Sequence, residues 1–430
     1  MKDALDTSPP GGPDAAAQPD GGPLRILVSS YRSNPHVGGQ GVYVRELTRA
    51  LSGLGHSVSV ASGPPYPELD AGIELIELPS LDLFSEDNAM LALRWRHLIN
   101  RADRYEWIAH NTGAFAEMTS FALRLEAFLE REGDRFDVVH DNQTLAMPMT
   151  RIDQRMALVT TLHHPIAVDR GFAIAGASTL LGKLLARRWH SFIHVQARAA
   201  KRLKHFLSVS DSSRQGYGAL CGVEPSCVDV AFNGIDHDAF YEDPSTAREP
   251  GLIAAVASAD VPIKGLDVLI AALAQLNRAD WRLVVVGALR DGPTRQALQR
   301  HGLLDRVEFR SGLAREAVAQ LFRQASLFVS PSRFEGFGFP PAEAMACGAP
   351  VIVSDGGALP EVAGDAGIVT PVEDASVLAA AINRLLDDPD ERMRLGALGA
   401  ERARTQFCWR KHGEAAVRLH RRAIGALTAT

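Results

Sequence analysis

The stretch from Ser330 to Val353, SPSRFEGFGFPPAEAMACGAPVIV, constrains the chain more than any other. It follows the apolar run Leu327, Phe328, Val329, which reads as a buried strand ending at Ser330-Pro331. A loop with Glu335, Gly336, Phe337 and Gly338 comes next, then Pro340 and Pro341. Proline suits the first turn of a helix, so a helix is expected from Ala342, with Gly348-Ala349-Pro350 ending it. Val351, Ile352 and Val353 form the following strand. Strand, glycine loop, helix and strand make up half of a parallel α/β layer. The helix N-terminus at its centre carries free amides and the positive end of a dipole, a setting that favours an anion. Two carboxylates flank it, Glu335 in the loop and Glu343 in the helix. On their own they also fit a solvated loop residue and a complement to the helix dipole. As ligands, Glu343 would accept from a ribose diol while the amides hold a pyrophosphate, and Glu335 would reach whatever lies beyond the phosphate.

The same grammar appears at the other end of the chain. Arg25 to Ser30 (RILVSS) reads as a buried strand. The turn Gly38-Gly39-Gln40-Gly41 follows, then a helix through Val42, Leu47, Ala50, Leu51 and Leu54, then the strand Ser57 to Ala61. This is the opening βαβ of a Rossmann-like unit, without the spacing of a dinucleotide fingerprint. Residues 84–132 have helical periodicity and interrupt the alternation. Further strands are expected at Phe136 to His140 and Ala157 to Leu162, with His163-His164-Pro165 at the carboxyl end of the second. Ligands of open parallel sheets bind outside such ends, which makes His163 a candidate for a polar substrate contact; a structural role at the strand end also fits it.

Residues 182–207 hold seven Lys or Arg and no Asp or Glu, interleaved with Leu184, Leu185, Trp189, Phe192, Ile193 and Val195. A basic amphipathic helix of that kind can lie on an anionic membrane surface, or cover the sheet with its charges in water. Ser210-Asp211-Ser212 can cap the helix after the strand Phe206 to Ser210. Asn233-Gly234-Ile235-Asp236 is a turn, and residues 241–250 read as a linker. The second half restarts with a strand at Leu252 to Val256, a Lys264-Gly265 loop, and strands at Arg282 to Gly287 and Val307 to Arg310. The division expected is a disordered tail 1–23, a first α/β domain 24–240, a second 251–408, and a terminal helix 409–430 packing back on the first.

At 430 residues with 46% apolar content, the chain can build two such cores. A net charge of −6 gives no support for nucleic-acid binding. The four cysteines lack ligand or disulfide-framework spacing, and no apolar run reaches membrane-spanning length. A cytoplasmic location is expected, peripheral to the inner membrane face if residues 182–207 bind it.

These motifs together — EGFGFPPAEAMACGAPVIVSD, the Gly38–Gly41 turn, VSDSSR at 209–214, NGID at 233–236 and Lys264-Gly265 — resemble the retaining glycosyltransferases of family 4. The resemblance runs from about Arg25 to the terminal helix, and Glu335 and Glu343 match the family's E-x7-E motif. It implies the GT-B fold, two Rossmann-like domains facing each other across a cleft, and sugar transfer from a UDP- or GDP-sugar to an acceptor it does not name. By the resemblance Glu343 binds the donor ribose, and Glu335 with the amides of Phe337, Gly338 and Phe339 faces the donor sugar. Lys264 neutralises the diphosphate, Ser311 and Gly312 border the base pocket, Gly39 approaches the phosphates from the first domain, and His163 is the active-site histidine. Neither a metal nor a separate cofactor is implied, since Lys264 and the helix start can offset the charge that grows on the leaving diphosphate.

The family's usual arginine a few residues before the lysine is missing, because residues 256–260 read VASAD. That leaves the diphosphate charge to Lys264 and the helix start alone, unless Arg32 or Arg333 substitutes. Two other readings share the fold, a sugar-nucleotide epimerase that needs no acceptor and a catalytically inactive partner subunit.

Overall fold

The structure is a computed structural model and describes residues 21–34, 39–81, 83, 90, 94–177 and 179–429. Most of the expected tail, Gly38 of the glycine turn and most of residues 84–93 lie outside the described residues.

Two wholly parallel sheets organise the chain. The first contains β1 (Arg25–Ser30), β2 (Ser57–Ser62), β3 (Glu74–Glu77), β4 (Val138–Asn142), β5 (Ala157–Leu162), β6 (Phe206–Ser208) and β7 (Val228–Val230), in the order β3-β2-β1-β4-β5-β6-β7. The second contains β8 (Glu249–Val256), β9 (Arg282–Val286), β10 (Val307–Arg310), β11 (Ala325–Ser330), β12 (Val351–Ser354) and β13 (Gly367–Thr370), in the order β10-β9-β8-β11-β12-β13. Central strands such as β5, β11 and β12 are buried along their whole length, as strands covered by helices on both faces must be. In each sheet the strand order reverses once, between β1 and β4 and between β8 and β11. The loops leaving these four strands therefore define the place where a ligand can sit. This is the GT-B architecture.

Some boundaries differ from the sequence reading, each for a physical reason. The helix after the glycine loop begins at Phe339, three residues before Ala342, because Gly338 adopts φ +102° and turns the chain directly into it. The strand expected at Phe136 to His140 is shifted to Val138–Asn142, so buried Asp141 and Asn142 belong to the strand and not to the turn after it. The edge strand β3 is half-exposed and carries a glutamate at each end, which hid it from a search for apolar runs.

Residues 182–207 do not form one helix. They are divided among the helix Leu180–Trp189, a 3-10 turn His190–Phe192, the helix Ile193–Ala200 and β6. Phe192, Ile193, Leu203, Phe206 and Leu207 are buried core residues, so only the first of these helices keeps an apolar face in water. Among the described residues no helix is long and apolar enough to cross a membrane.

The helix Trp409–Thr428 leaves the second half of the chain and lies against β5 and the helix Gly39–Gly53 of the first sheet. A buried hydrogen-bond chain holds it there. His412 Nδ1 lies 3.2 and 3.1 Å from the carbonyls of Ala231 and Phe232, which can only accept, so that nitrogen carries the proton. His412 Nε2 then accepts from the Tyr43 hydroxyl at 3.0 Å, and Tyr43 accepts from Thr161 at 2.8 Å. His140 Nε2 donates to Thr161 at 2.6 Å, and His420 Nε2 donates to His140 Nδ1 at 2.8 Å. The sequence of donors closes on His420 Nδ1, a buried atom without a partner, which this order leaves as a bare lone pair. Burial holds His140 well below the usual imidazole range, and lowers His412 to about 4 and His420 to about 3, so all three rings are neutral.

Candidate active site

The four switch-point loops open onto one cleft of about 1280 Å³ between the two sheets. Gly39, His163, Lys264, Gly312, Glu335, Phe337, Gly338, Phe339 and Glu343 all line it. Ser311, also singled out from the sequence, is exposed just after β10 and lies outside that lining.

The loop after β11 is held by its own half of the molecule. Glu335 N donates to Gly356 O at 3.3 Å, and Ala358 N donates to Glu335 O at 2.9 Å. Ser354 donates its hydroxyl to the Ser332 carbonyl. Gly357 makes this possible, with φ +68° and no Cβ, which would sit 2.3 Å from Glu335 O. The Glu335 carboxylate accepts from Lys264 Nζ at 2.7 Å and from the Ser332 hydroxyl at 2.8 Å. Lys264 itself ends a 3-10 turn, Pro262–Lys264, whose backbone is braced by Arg333. Arg333 N donates to Ile263 O at 2.8 Å, and its guanidinium binds the Pro262 carbonyl, Asp267 and Glu373.

That bracing settles where the substitute arginine is not. Arg333 is committed to those carboxylates, Arg32 pairs with Glu117 at 3.4 Å, and neither lines the cleft. Among the described residues the arginines that do are Arg45 and Arg315. Arg315 pairs with Asp236 at 2.5 Å and lies 3.8 Å from the buried carboxylate of Glu46, linking the second half of the chain to the first. Asp236 and Asp238 have D-x-D spacing, but Asp236 also accepts from the amides of Asp238 and Ala239. Among the described residues no group of three or more His, Cys, Asp or Glu could hold a metal ion.

The helix Phe339–Ala346 starts against the cleft. Its second and third residues are prolines without N–H groups, so the free donors sit earlier. Among the described residues the amides of Gly336, Phe337, Gly338 and Phe339 have no protein acceptor outside the helix. The ring of Phe337 is buried against Phe232, Phe339 and Phe407, which anchors the loop and leaves its backbone to meet a ligand. Phe339 stacks on Trp409 at 6.4 Å and lies 3.5 Å from where a Cβ on Gly39 would stand. The carboxylate of Glu343, one turn into the helix, accepts no hydrogen bond from the described residues. Burial pushes its carboxyl up to about 7, with Arg315 opposing and Asp236 reinforcing the shift.

Across the cleft, His163 follows β5. Gln143, at φ +57° beyond β4, clamps it: the Gln143 Oε1 atom accepts from the amides of His163 at 2.5 Å and His164 at 3.1 Å, and its Nε2 donates to His164 O at 3.0 Å. The His163 ring stands edge-on to Tyr43 at 4.3 Å, and its Nε2 lies 2.6 Å from Asn142 Oδ1. Burial lowers this imidazole to about 3, so it is neutral. The two halves meet here. Ser210 donates to Gly336 O at 2.7 Å, the Ser213 hydroxyl lies 2.8 Å from His163 O, and Glu361 accepts from the amides of Asp211 and Ser212 at the start of the helix Asp211–Cys221. A Cβ on Gly336 would sit 2.1 Å from His163 O. Gly336→Ala is therefore expected to push the Glu335 loop off the histidine strand and lower kcat/KM about 100-fold, read in steady-state assays.

Gln143, Asn142, Tyr43 and Arg315 were not singled out as site residues by sequence. Their signal is spatial: Gln143 and Arg315 line the cleft, while Asn142 and Tyr43 lie buried behind His163; only the polar end Asp141-Asn142-Gln143 of a strand could have drawn attention.

Comparison with known proteins agrees with this geometry. Residues 37–239 match the Glycosyltransferase Family 4 family and residues 240–402 match Glycosyl transferases group 1. The chain is 41% identical to the MMP alpha-(1->4)-mannosyltransferase of Mycolicibacterium hassiacum over 94% of its own length and 100% of the relative. It is 26% identical to a D-inositol 3-phosphate glycosyltransferase of Kribbella flavida, over 94% and 97%. Among solved structures it resembles the sucrose-phosphate synthase of Thermosynechococcus elongatus, with a TM-score of 0.71, 24% identity and coverage of 94% and 100%. The Anabaena protein HepE in complex with UDP-glucose gives a TM-score of 0.65 at 18% identity, over 95% and 100%. The chain belongs to the group 1 glycosyltransferases of the GT-B fold. It is a sugar-transferring enzyme.

Proposed function

We propose that the enzyme moves a mannosyl residue from a nucleoside-diphosphate donor to a glycan hydroxyl, with retention of configuration and without a metal. The observation that carries this is the convergence of Lys264, Glu335 and the four unpartnered amides 336–339 on one side of the cleft with His163 on the other. The choice of mannose follows the printed name of the 41% identical relative, and an α-linked product from an α-linked donor is retention.

In this reading the diphosphate displaces Glu335 from Lys264 and takes the lysine together with the loop amides. Glu343 accepts from the ribose, and Glu335, still held by Ser332, turns to the sugar hydroxyls. As the anomeric bond lengthens, negative charge collects on the departing β-phosphate. Lys264 and the amides are fixed there beforehand, so no reorganisation is needed at the moment of reaction. Arg315 lines the same cleft but is paired with Asp236 and lies beside Glu46, so the charge facing the diphosphate is that of Lys264 and the amides. With the donor activated in this way, an acceptor hydroxyl approaches from the side the diphosphate leaves. Gly312 borders the base, and no separate cofactor takes part.

The test is a panel of GDP- and UDP-sugars, with product linkage read by NMR and chelator present. A mannosyl donor turned over to an α-linked product is the expected result; a β-linked product or loss of turnover with chelator would refute it. Turnover of donor without acceptor to an epimer would favour the epimerase. Donor hydrolysis lost in Glu335→Gln and His163→Ala separates the enzyme from an inactive subunit.

A second, independent reading concerns the helix Leu180–Trp189. Leu180, Leu181, Leu184 and Leu185 face solvent beside Lys183 and Arg187, a composition that suits an anionic bilayer surface. Flotation with anionic vesicles that is unchanged in Leu181→Ser/Leu185→Ser would remove this reading.

A further inference from the structure

His163 is held by a polar chain that fixes which of its nitrogens carries the proton. Ser30 Oγ donates its single hydrogen to the Arg32 carbonyl at 3.1 Å. It can then only accept, from Ser33 Oγ at 2.8 Å and from Asn142 Nδ2 at 3.2 Å. Asn142 thus turns its amide nitrogen to Ser30 and its oxygen to His163. An amide oxygen cannot donate, so the 2.6 Å contact requires the proton on His163 Nε2. In the neutral ring Nδ1 is then a bare acceptor. That nitrogen has no hydrogen bond to the described residues and is absent from the buried unpartnered atoms, while the residue lines the cleft. Nδ1 is therefore open to the cleft.

We propose that Ser30 and Asn142 are positioning residues that set the tautomer of His163, so that it meets the substrate as a hydrogen-bond acceptor. The edge-on ring of Tyr43, itself tied to Thr161 and His412, holds the plane of the imidazole. An acceptor lone pair repels phosphate and attracts hydroxyl. The histidine thereby excludes the diphosphate from its side of the cleft and selects a ligand with a hydroxyl there, the division of labour that the proposed sugar transfer requires. This step rests on that reading of the cleft; the tautomer itself does not.

The first test needs no substrate. Histidine-selective nitrogen-15 labelling of the whole protein, with the His163 signals assigned by His163→Gln, is expected to show a protonated Nε2 and an unprotonated Nδ1. A protonated Nδ1 overturns the proposal, whatever the enzyme transfers. Asn142→Ala is expected to mix the two tautomers and lower kcat about 10-fold, with donor KM within twofold of wild type. An unmixed tautomer, or a loss confined to KM, would also overturn it.

Asn142→Asp supplies the variant of conserved shape. It puts a carboxylate on Nε2 among the other groups that face the ring, namely His140, His164, His412 and Tyr43. The carboxylate favours the doubly protonated ring, turning Nδ1 into a donor as pH falls. The acid limb of the kcat profile should then move to higher pH, with recovery toward wild-type rate in alkaline buffer. A profile lowered uniformly at all pH values would mean that Asn142 is only structural.

Discussion

Glu343→Gln is expected to act in opposite directions on stability and on donor binding. The carboxyl is pushed up to about 7 by burial, from an ordinary value of 4.5. Its ionised form is therefore penalised in the folded protein. The sign follows from linkage: below about pH 4.5 the group is protonated folded or unfolded and carries no penalty, and the penalty grows until it is complete above about pH 7. At pH 8 the glutamine removes it, and with allowance for partial solvent contact the variant should be more stable by about 1–3 kcal/mol. Donor affinity should fall at the same time, by about 10–100-fold, because a charge-assisted hydrogen bond to the ribose is exchanged for a neutral one. Calorimetry across pH 6–8 checks both. Wild-type donor affinity should weaken as pH drops through about 7, where the carboxylate takes up its proton, and the glutamine variant should show no such slope. A variant equally stable and equally tight at pH 8 would place Glu343 outside the donor site.

Lys264→Ala is expected to lower kcat about 1000-fold, since it removes a fixed charge from the place where the leaving diphosphate develops its own. Stability should change by less than about 1 kcal/mol, because the pair with Glu335 is partly exposed. Glu335 keeps Ser332 as a partner, so the loop does not collapse. Lys264→Arg should not restore the rate. The 3-10 turn braced by Arg333 aims a compact ammonium, and a planar guanidinium cannot occupy the same point. Single-turnover measurements separate this from a defect in product release. A loss confined to KM would mean that the lysine binds ground state and transition state alike.

These two residues were legible in the sequence because their neighbours in the chain determine their setting. Strand β11, the Glu335 loop and the following helix are contiguous, and Lys264 precedes a glycine whose φ of +62° ends its turn. Glu343 was placed correctly relative to the helix even though the helix starts three residues earlier than expected, at Phe339. The other side of the cleft was read less completely. His163 stands out at a strand end, but its proton, its ring plane and its backbone depend on Asn142, Tyr43 and Gln143, which come from elsewhere in the chain. Arg315 shows the same limit from the opposite direction. Arg32 and Arg333 were the arginines considered from the sequence, whereas Arg315, which lines the cleft, starts a helix about 50 residues after Lys264. The basic stretch 182–207 misled because composition does not show that buried Phe192, Ile193 and Leu203 interrupt its solvated face.

The helix Trp409–Thr428 makes the first sheet dependent on residues synthesised after the whole second sheet. Tyr43 and His140 emerge from the ribosome early, yet their partners His412 and His420 are made about 280–370 residues later. Until then, the first half of the chain is exposed with buried-type polar groups unpaired and one apolar helix face uncovered. Its core can be closed in full only once the helix Trp409–Thr428 has docked on it. A protein truncated before Trp409 would leave that step undone, however complete both sheets were.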